Sequence, residues 1–386
     1  MKKHLIAVAV AAAVAAPAMA QNVSISGTLD AAAHSVNKAT TFNSVAQTQA
    51  AVKTSGVSSS AEGDGFTTSQ LVFTATEDLG GGLKATGLFS SRLGQTGGVI
   101  GARDRYLGLS GGFGALRVGR FAGTIDLHNS FSGAGTTGTP GALNTYSTGA
   151  ADRFNGGTTG AFLATGGSFE RNNNLVQYST PTTSGLTAAF GFTNDKSDSD
   201  AAVGELKSKM SYASLQYAQG PLTLMAASGQ RKVGTQTTAA STTSRLVTAG
   251  DTAKGDFQWI GARYDLGVAV LNATYANRKD TYTAVGAAAV TTGDSSIAAF
   301  GIAIPVGALT LRGSMYQGSD DRGAAANTDN TDLEGNQVSV TYALSKRTFV
   351  YVATGKNEVK LTQTQANSTA GAQKVSGTNL GISHSF

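Results

Sequence analysis

The last eight residues read NLGISHSF, Asn379–Phe386. Side chains alternate with a period of two along a strand. Leu380, Ile382, His384 and Phe386 therefore share one face, and Asn379, Gly381, Ser383 and Ser385 the other. The apolar face runs to the final carboxylate. Chain ends are ordinarily polar and frayed, so an apolar terminal strand needs a partner to cover its backbone.

The opposite end indicates a compartment. MKKHLIAVAVAAAVAAPAMA carries Lys2 and Lys3, an uncharged apolar run from Leu5 to Ala16, and Ala18-Met19-Ala20. That is the order of a secretory signal peptide, and the run is shorter than the roughly 20 apolar residues a membrane helix needs. Residues 1–20 are expected to be a leader and 21–386 a single outer-membrane barrel domain. No other stretch approaches membrane-helix length, so a membrane-spanning chain must cross as strands. Charged residues make up 14% of the chain, against about 25% in soluble domains. With no Cys, the fold does not rest on disulfides, and thiolate catalysis and Cys-ligated metals are excluded. A net charge of +5, dispersed along the chain, does not suggest a nucleic-acid partner.

One theme repeats along the chain. About ten alternating residues lead into a short turn, a second such segment follows, and then a longer Thr/Ser/Asn/Gly-rich connector. The short turns are EDLGGGL (77–83), SGGFGAL (110–116), TPTTSGL (180–186), AQGPL (218–222), DLGVA (265–269), PVGAL (305–309) and LSKRT (344–348). Gly supplies the positive φ of tight hairpins, and Asp and Pro add turn chemistry. Seven hairpins, with NVSISGTLDAA at the start and TNLGISHSF at the end, predict sixteen strands. The long connectors are expected near 37–66, 94–101, 122–172, 194–207, 231–255, 279–294, 318–332 and 358–373. Alternating short turns and long loops around strands of this length are the pattern of an outer-membrane barrel. Lipid cannot satisfy an open sheet edge, at several kcal/mol per unpaired group. The predicted fold is therefore an all-β, 16-stranded antiparallel transmembrane β-barrel in which TNLGISHSF closes against NVSISGTLDAA. Phe113, Tyr178, Phe190, Tyr264, Phe349 and Tyr351, near segment ends, are expected in the aromatic band at the water interface, with Phe386.

No catalytic grouping emerges. The four His lack metal-motif spacing, and no nucleophile elbow lies between a strand and a helix. The reading is a non-enzyme without cofactor. What remains is a lumen too wide for side chains to fill. Alternation turns Gln70, Thr74, Lys84, Arg92, Arg263 and Arg312 inward, where an Arg costs little; facing lipid at mid-depth it costs roughly 2–4 kcal/mol. The same count puts Val72, Leu88 and Trp259 on the lumen face, against the expected polarity, and leaves no clear aromatic run there. The connector 122–172 is long enough to enter the lumen or lie over its mouth.

In order and spacing, VSISGTLDAA, TEDLGGGLKA (76–85), YLGLSGGFGALRVGR (106–120), NNLVQYSTP (173–181) and LGISHSF resemble the trimeric general porins of Gram-negative outer membranes, above all the β-proteobacterial and Neisseria type. The resemblance implies a homotrimer in outer-membrane lipid, with a third loop folded inward as a constriction. It implies passive diffusion of small hydrophilic solutes and ions, and Phe386 as the signal read by the barrel-assembly machinery. In that family a basic cluster on the wall faces acids on the third loop. Carried onto this chain, the constriction positions are Gln70 in the SxLxFxG-like segment, Arg120 in the LGR-like segment, Gln177 in the NSxRY-like segment and Asp126 of Ile125-Asp126. Two of the three basic sites are thus neutral, the PEFGG-like acidic stretch is missing, and Arg92, Arg263 and Arg312 stand as compensating cations. Simple alternation sets Arg120 on the lipid side with Leu116 and Val118, so the family reading requires a bulge or a strand end there.

A general porin is the reading these features favour. A substrate-selective channel on the same barrel would show saturable flux. A surface structural or adhesive barrel with a plugged lumen would show no conductance.

Overall fold

The computed structural model describes residues 22–42, 48–59, 66–93, 101–124, 171–195, 206–235, 252–283, 286–321, 330–363 and 371–386. The expected leader, residues 1–20, lies outside these residues, as do Asp126 and most of the connector 122–172. Among the described residues, seventeen strands form one sheet. They are β1 (Asn22–Phe42), β2 (Thr48–Ser59), β3 (Gln70–Gly80), β4 (Leu83–Arg92), β5 (Gly101–Gly111), β6 (Gly114–Ala122), β7 (Arg171–Ser179), β8 (Leu186–Asp195) and β9 (Leu206–Gln219). The second half comprises β10 (Leu222–Thr235), β11 (Thr252–Asp265), β12 (Val270–Thr283), β13 (Val290–Val306), β14 (Leu309–Asp321), β15 (Asn330–Ala343), β16 (Thr348–Gln363) and β17 (Gly371–Ser385).

From β3 onward each strand pairs antiparallel with the next, and β17 returns to β1 in a register running from Thr28↔Ser385 to Phe42↔Gly371. β2 and β3 both run antiparallel to β1, β2 along Ala31–Thr41 and β3 along Asn22–Thr28. They are two pieces of one stave, so the seventeen strands build sixteen staves, as the hairpin count predicts.

Local chemistry explains the turns. In the β3–β4 hairpin Gly80, Gly81 and Gly82 have φ of 86°, 60° and 81°, which side-chain-bearing residues rarely adopt. Asp78 Oδ1 accepts the Gly80 N–H at 2.9 Å. Asp265 does the same for Gly267 at 2.7 Å in the β11–β12 turn. All seven predicted turns join strands, and they lie at the same end of the barrel as both described termini.

Strand length departs from the reading. Staves β3–β8 span 9–11 residues, but β13 spans 17, β16 spans 16 and β1 spans 21. Several stretches expected as connectors are therefore upward extensions of strands; the 37–66 connector contains the end of β1 and all of β2. These polar extensions keep the ladder because their amides still find partners across the sheet. Their outward faces carry ion pairs, Lys360–Glu334 and Lys374–Glu358, each at 2.8 Å.

The outer face is apolar below these extensions. Leu107 is 73% exposed, with Phe190, Ile260, Val338 and Leu380 also exposed. In water this would be an aggregation surface; in a bilayer it is the lipid-contact band. Phe113, Tyr178, Tyr264, Tyr342 and Phe386 are exposed near the short-turn end, where an interfacial girdle belongs. Phe349 and Tyr351 do not join it. Both alternate with outward Val350 and Val352, and Tyr351 is buried on the lumen face. Their nearness to a turn was a false cue, since face is set by parity and not by depth. Among the described residues, the largest buried apolar group is also on the inside, with Phe121, Leu175, Tyr212, Phe257 and Trp259 among its members. The inward parity of Trp259 is thus real.

Candidate pore lining

Four neighbouring staves carry the first group of sequence-predicted positions. Gln70 on β3 stands opposite Arg92 on β4. Gln70 Oε1 accepts a hydrogen bond from Arg103 Nη1 at 2.9 Å. The Arg103 carbonyl in turn accepts from Arg120 Nη1 at 2.7 Å. Gln70 thus neighbours Arg92 and is bonded to Arg103, whose carbonyl holds Arg120. A register shift lies between Phe89 and Ser91 in the β4–β5 ladder, beside Arg103. Arg120 itself sits opposite Arg105 and follows Leu116 and Val118 in alternation. A second shift lies between Gly119 and Phe121, and Gly119 has φ 150°.

Lower on β6, Arg117 faces inward. Its guanidinium carbon lies 5.6 Å from the Tyr106 ring and 5.2 Å from the Phe121 ring, a geometry that holds a cation flat on the wall. Arg117 is opposite Gln177 in the β6–β7 ladder. Gln177 is only 1% exposed, and both ends of its amide are bonded. Its Oε1 accepts from the Thr124 N–H at 3.1 Å and from the Tyr212 hydroxyl, and its Nε2 donates to Ser179 Oγ at 3.3 Å. Ser214 Oγ donates to Thr124 Oγ1 at 2.7 Å. Gln177, Tyr212 and Ser214 are lumen-facing, so the chain leaving β6 is tied to the inside wall at Thr124. At the other end of the same connector, Arg231 Nη2 donates to Asn172 Oδ1.

The remaining sequence-predicted positions are spread around the wall. Arg263 Nε donates to Asn272 Oδ1 at 2.8 Å. Arg312 Nη1 donates to Thr341 Oγ1 at 2.8 Å, and its guanidinium lies 5.6 Å from the Phe66 ring. Lys84 is exposed opposite Asp78, one residue above the short turn. Thr74 lies between Ser24 and Leu88. The structure therefore brings Gln70, Arg92 and Arg120 together, gathers Gln177 into a separate buried group, and leaves Lys84, Thr74, Arg263 and Arg312 apart.

A family model of the Gram-negative porin matches residues 7–362. The chain belongs to the Gram-negative porin family. It is 28% identical over 406 residues to outer membrane porin protein 32 of Delftia acidovorans, covering the whole of both chains. The solved anion-selective porin from Comamonas acidovorans superposes with a TM-score of 0.68 at 24% identity, over 95% of this chain and 100% of that one. OmpT of Vibrio cholerae, solved in a trimer form, gives 0.62 at 15% identity over 95% and 100%. This porin is an outer-membrane β-barrel that forms a pore for passive diffusion. Its relatives are channels and not enzymes.

Sequence reading missed several of the porin's lumen residues. Arg117 was within reach, since it alternates with outward Leu116 and Val118. Arg103 was hidden by the irregular register that begins in ARDRY. Asp30 alternates with outward Leu29 but was an isolated acid without context. Nothing local marks Phe66, which precedes β3 in an irregular segment yet is buried inside the barrel.

Proposed function

We propose that this porin is a homotrimer whose water-filled lumens pass small hydrophilic solutes with a preference for anions. The observation that carries the preference is the arginine group on β4–β6, Arg92 and Arg103 with Arg117 below. Two lumen carboxylates, Asp30 and Asp280, are engaged elsewhere: Asp280 pairs with Arg278 at 2.8 Å, and Asp30 accepts from Tyr351 at 2.7 Å and from the Thr67 N–H at 3.0 Å. Fixed cations in a low-dielectric cleft raise the local concentration of anions. The structural likeness to a porin described as anion-selective supports the same reading. Arg120, Gln70 and Asp126 are the proposed aperture, with Arg92, Lys84, Thr74, Arg263 and Arg312 as lining.

The third connector is proposed to lie inside the lumen. Its stem at Thr124 and its return at Asn172 are both bonded to inward side chains, and the inward faces of Phe121, Leu175 and Phe257 are shut off from water. Gln177 then acts as the anchor of that connector and not as a surface bathed by solute. Cleavage after Ala20 and recognition of Phe386 by the assembly machinery complete the proposal. The deciding measurement is the zero-current potential of the purified protein in a planar bilayer under a salt gradient. Anion preference is expected, and Arg103→Ser and Arg120→Ser are each expected to move it toward cations. A cation-selective wild type would refute the preference. The unheated species is expected to migrate as a trimer in detergent.

A further inference from the structure

We infer that Asp30 is a positioning residue that latches an inward peg, Phe66–Thr67, across the lumen from the third-connector anchor, so that the pore is pinched from two opposite walls. β2 ends opposite Ala31, and β3 begins opposite Thr28. Leu29 and Asp30 of β1 therefore have no strand partner on that side, and Phe66 and Thr67 lie off the stave. The Ser69 hydroxyl substitutes for the missing strand, accepting from the Asp30 N–H at 3.0 Å and donating to the Asp30 carbonyl at 3.3 Å. The chain is thus free to turn inward at Phe66 and Thr67 without orphaning the backbone of β1.

The carboxylate of Asp30, 2% exposed, then holds the peg with both oxygens. Oδ1 accepts from the Tyr351 hydroxyl at 2.7 Å and the Phe66 N–H at 3.3 Å. Oδ2 accepts from the Thr67 N–H at 3.0 Å and the Thr67 hydroxyl at 3.1 Å. The Tyr351 oxygen also accepts from the Phe66 N–H at 3.0 Å. Such charge-assisted bonds are the stronger kind, and buried networks of this type fix one arrangement only when fully satisfied. Tyr351 lies flat enough to serve because Gly381 faces it: a Cβ there would come 2.5 Å from the ring.

The peg reaches several staves. The Phe66 ring lies 4.9 Å from the Tyr351 ring and 5.5 Å from the Phe349 ring, both on β16, and against Arg312 on β14. The Thr67 hydroxyl meets Ser383 Oγ of β17 at 3.1 Å. This wall, β14 to β1, stands across the sixteen-stave ring from β7–β9, where Gln177, Tyr212 and Ser214 hold Thr124. Solute is left a corridor between the two, with the arginines of β4–β6 along one flank. The latch thereby sets the width of the passage and holds the Arg312 head against an aromatic ring.

Single-channel conductance in planar bilayers tests the inference. Asp30→Asn and Phe66→Ala are each expected to raise the unit conductance and to speed uptake of neutral sugars into liposomes, most for the largest sugar. Phe66→Ala leaves every group on the carboxylate in place, so it reads the peg even where the Asp30 variant folds poorly. A Thr67→Cys/Ser383→Cys pair, in a chain otherwise without Cys, can tie the peg down. When oxidised it is expected to return Asp30→Asn to wild-type conductance, and reduction is expected to raise it again. Wild-type conductance in both single variants overturns the inference. So does a high conductance in Asp30→Asn that oxidation of the pair leaves unchanged.

Discussion

Gly27 and Phe386 exchange both backbone hydrogen bonds, N–H to carbonyl in each direction at 3.0 Å. The last residue of the chain is thereby the closing rung of the barrel. The ring of Phe386 occupies the space a side chain would take at position 27, where a Cβ would lie 2.5 Å from Cζ and 2.7 Å from the Gln70 carbonyl. An apolar strand can end the chain here because its amides are paired and its outward ring meets lipid.

Gly27→Val is expected to displace that ring and strain the seam, at the roughly 1–3 kcal/mol typical of overpacking. The unfolding midpoint in denaturant, or the temperature at which the folded barrel loses its compact migration in detergent, should fall. Phe73→Val, on the outer face of the neighbouring stave, is the control and should shift it less.

Gln177→Leu removes the acceptor shared by Thr124 and Tyr212. Each donor left unpaired in a buried site costs about 1–3 kcal/mol. The variant is expected to be less stable and to conduct more, since the stem of the third connector loses its anchor. Noise in open-channel current recordings should rise with it.

Selectivity that rests on fixed cations must fade with salt. The screening length falls from about 30 Å at 0.01 M to about 3 Å at 1 M. Reversal potentials are expected to show strong anion preference in dilute salt and little in concentrated salt. Arg103→Ala should flatten this dependence, because it removes a cation and releases Gln70 together.

Leu107, midway along the lipid side of β5, opposes Gly87 and Val118. Leu107→Arg is expected to destabilise folding into liposomes by about 2–4 kcal/mol. Thr74→Arg, on the inward face of β3, should alter stability little and conductance measurably.

The legible part of the fold was local. NVSISGTLDAA and NLGISHSF each reveal a face through period two, and Gly80–Gly82 reveals a turn through positive φ. A bilayer then admits one solution, a closed ring. Arg92, Arg263 and Arg312 could be assigned to the lumen by the same parity. The aperture was less legible. Gln177 occupies a motif position that suggests a pore-facing amide, yet the structure spends that amide on Thr124 and Tyr212, partners 53 and 35 residues away. Phe349 and Tyr351 were misplaced because distance from a turn says nothing about face.

The sequence by itself thus determined the sixteen staves, their two faces and the hairpin ends, which follow from neighbours one or two residues apart, and the closing pair, which follows from the cost of an open edge in lipid. Only the tertiary structure decided what enters the lumen. Asp30 and Tyr351 are 321 residues apart in the chain and meet because the ring is closed. Whether a segment such as Phe66–Thr67 stays in the wall or turns inside depends on that meeting, and no local pattern encodes it.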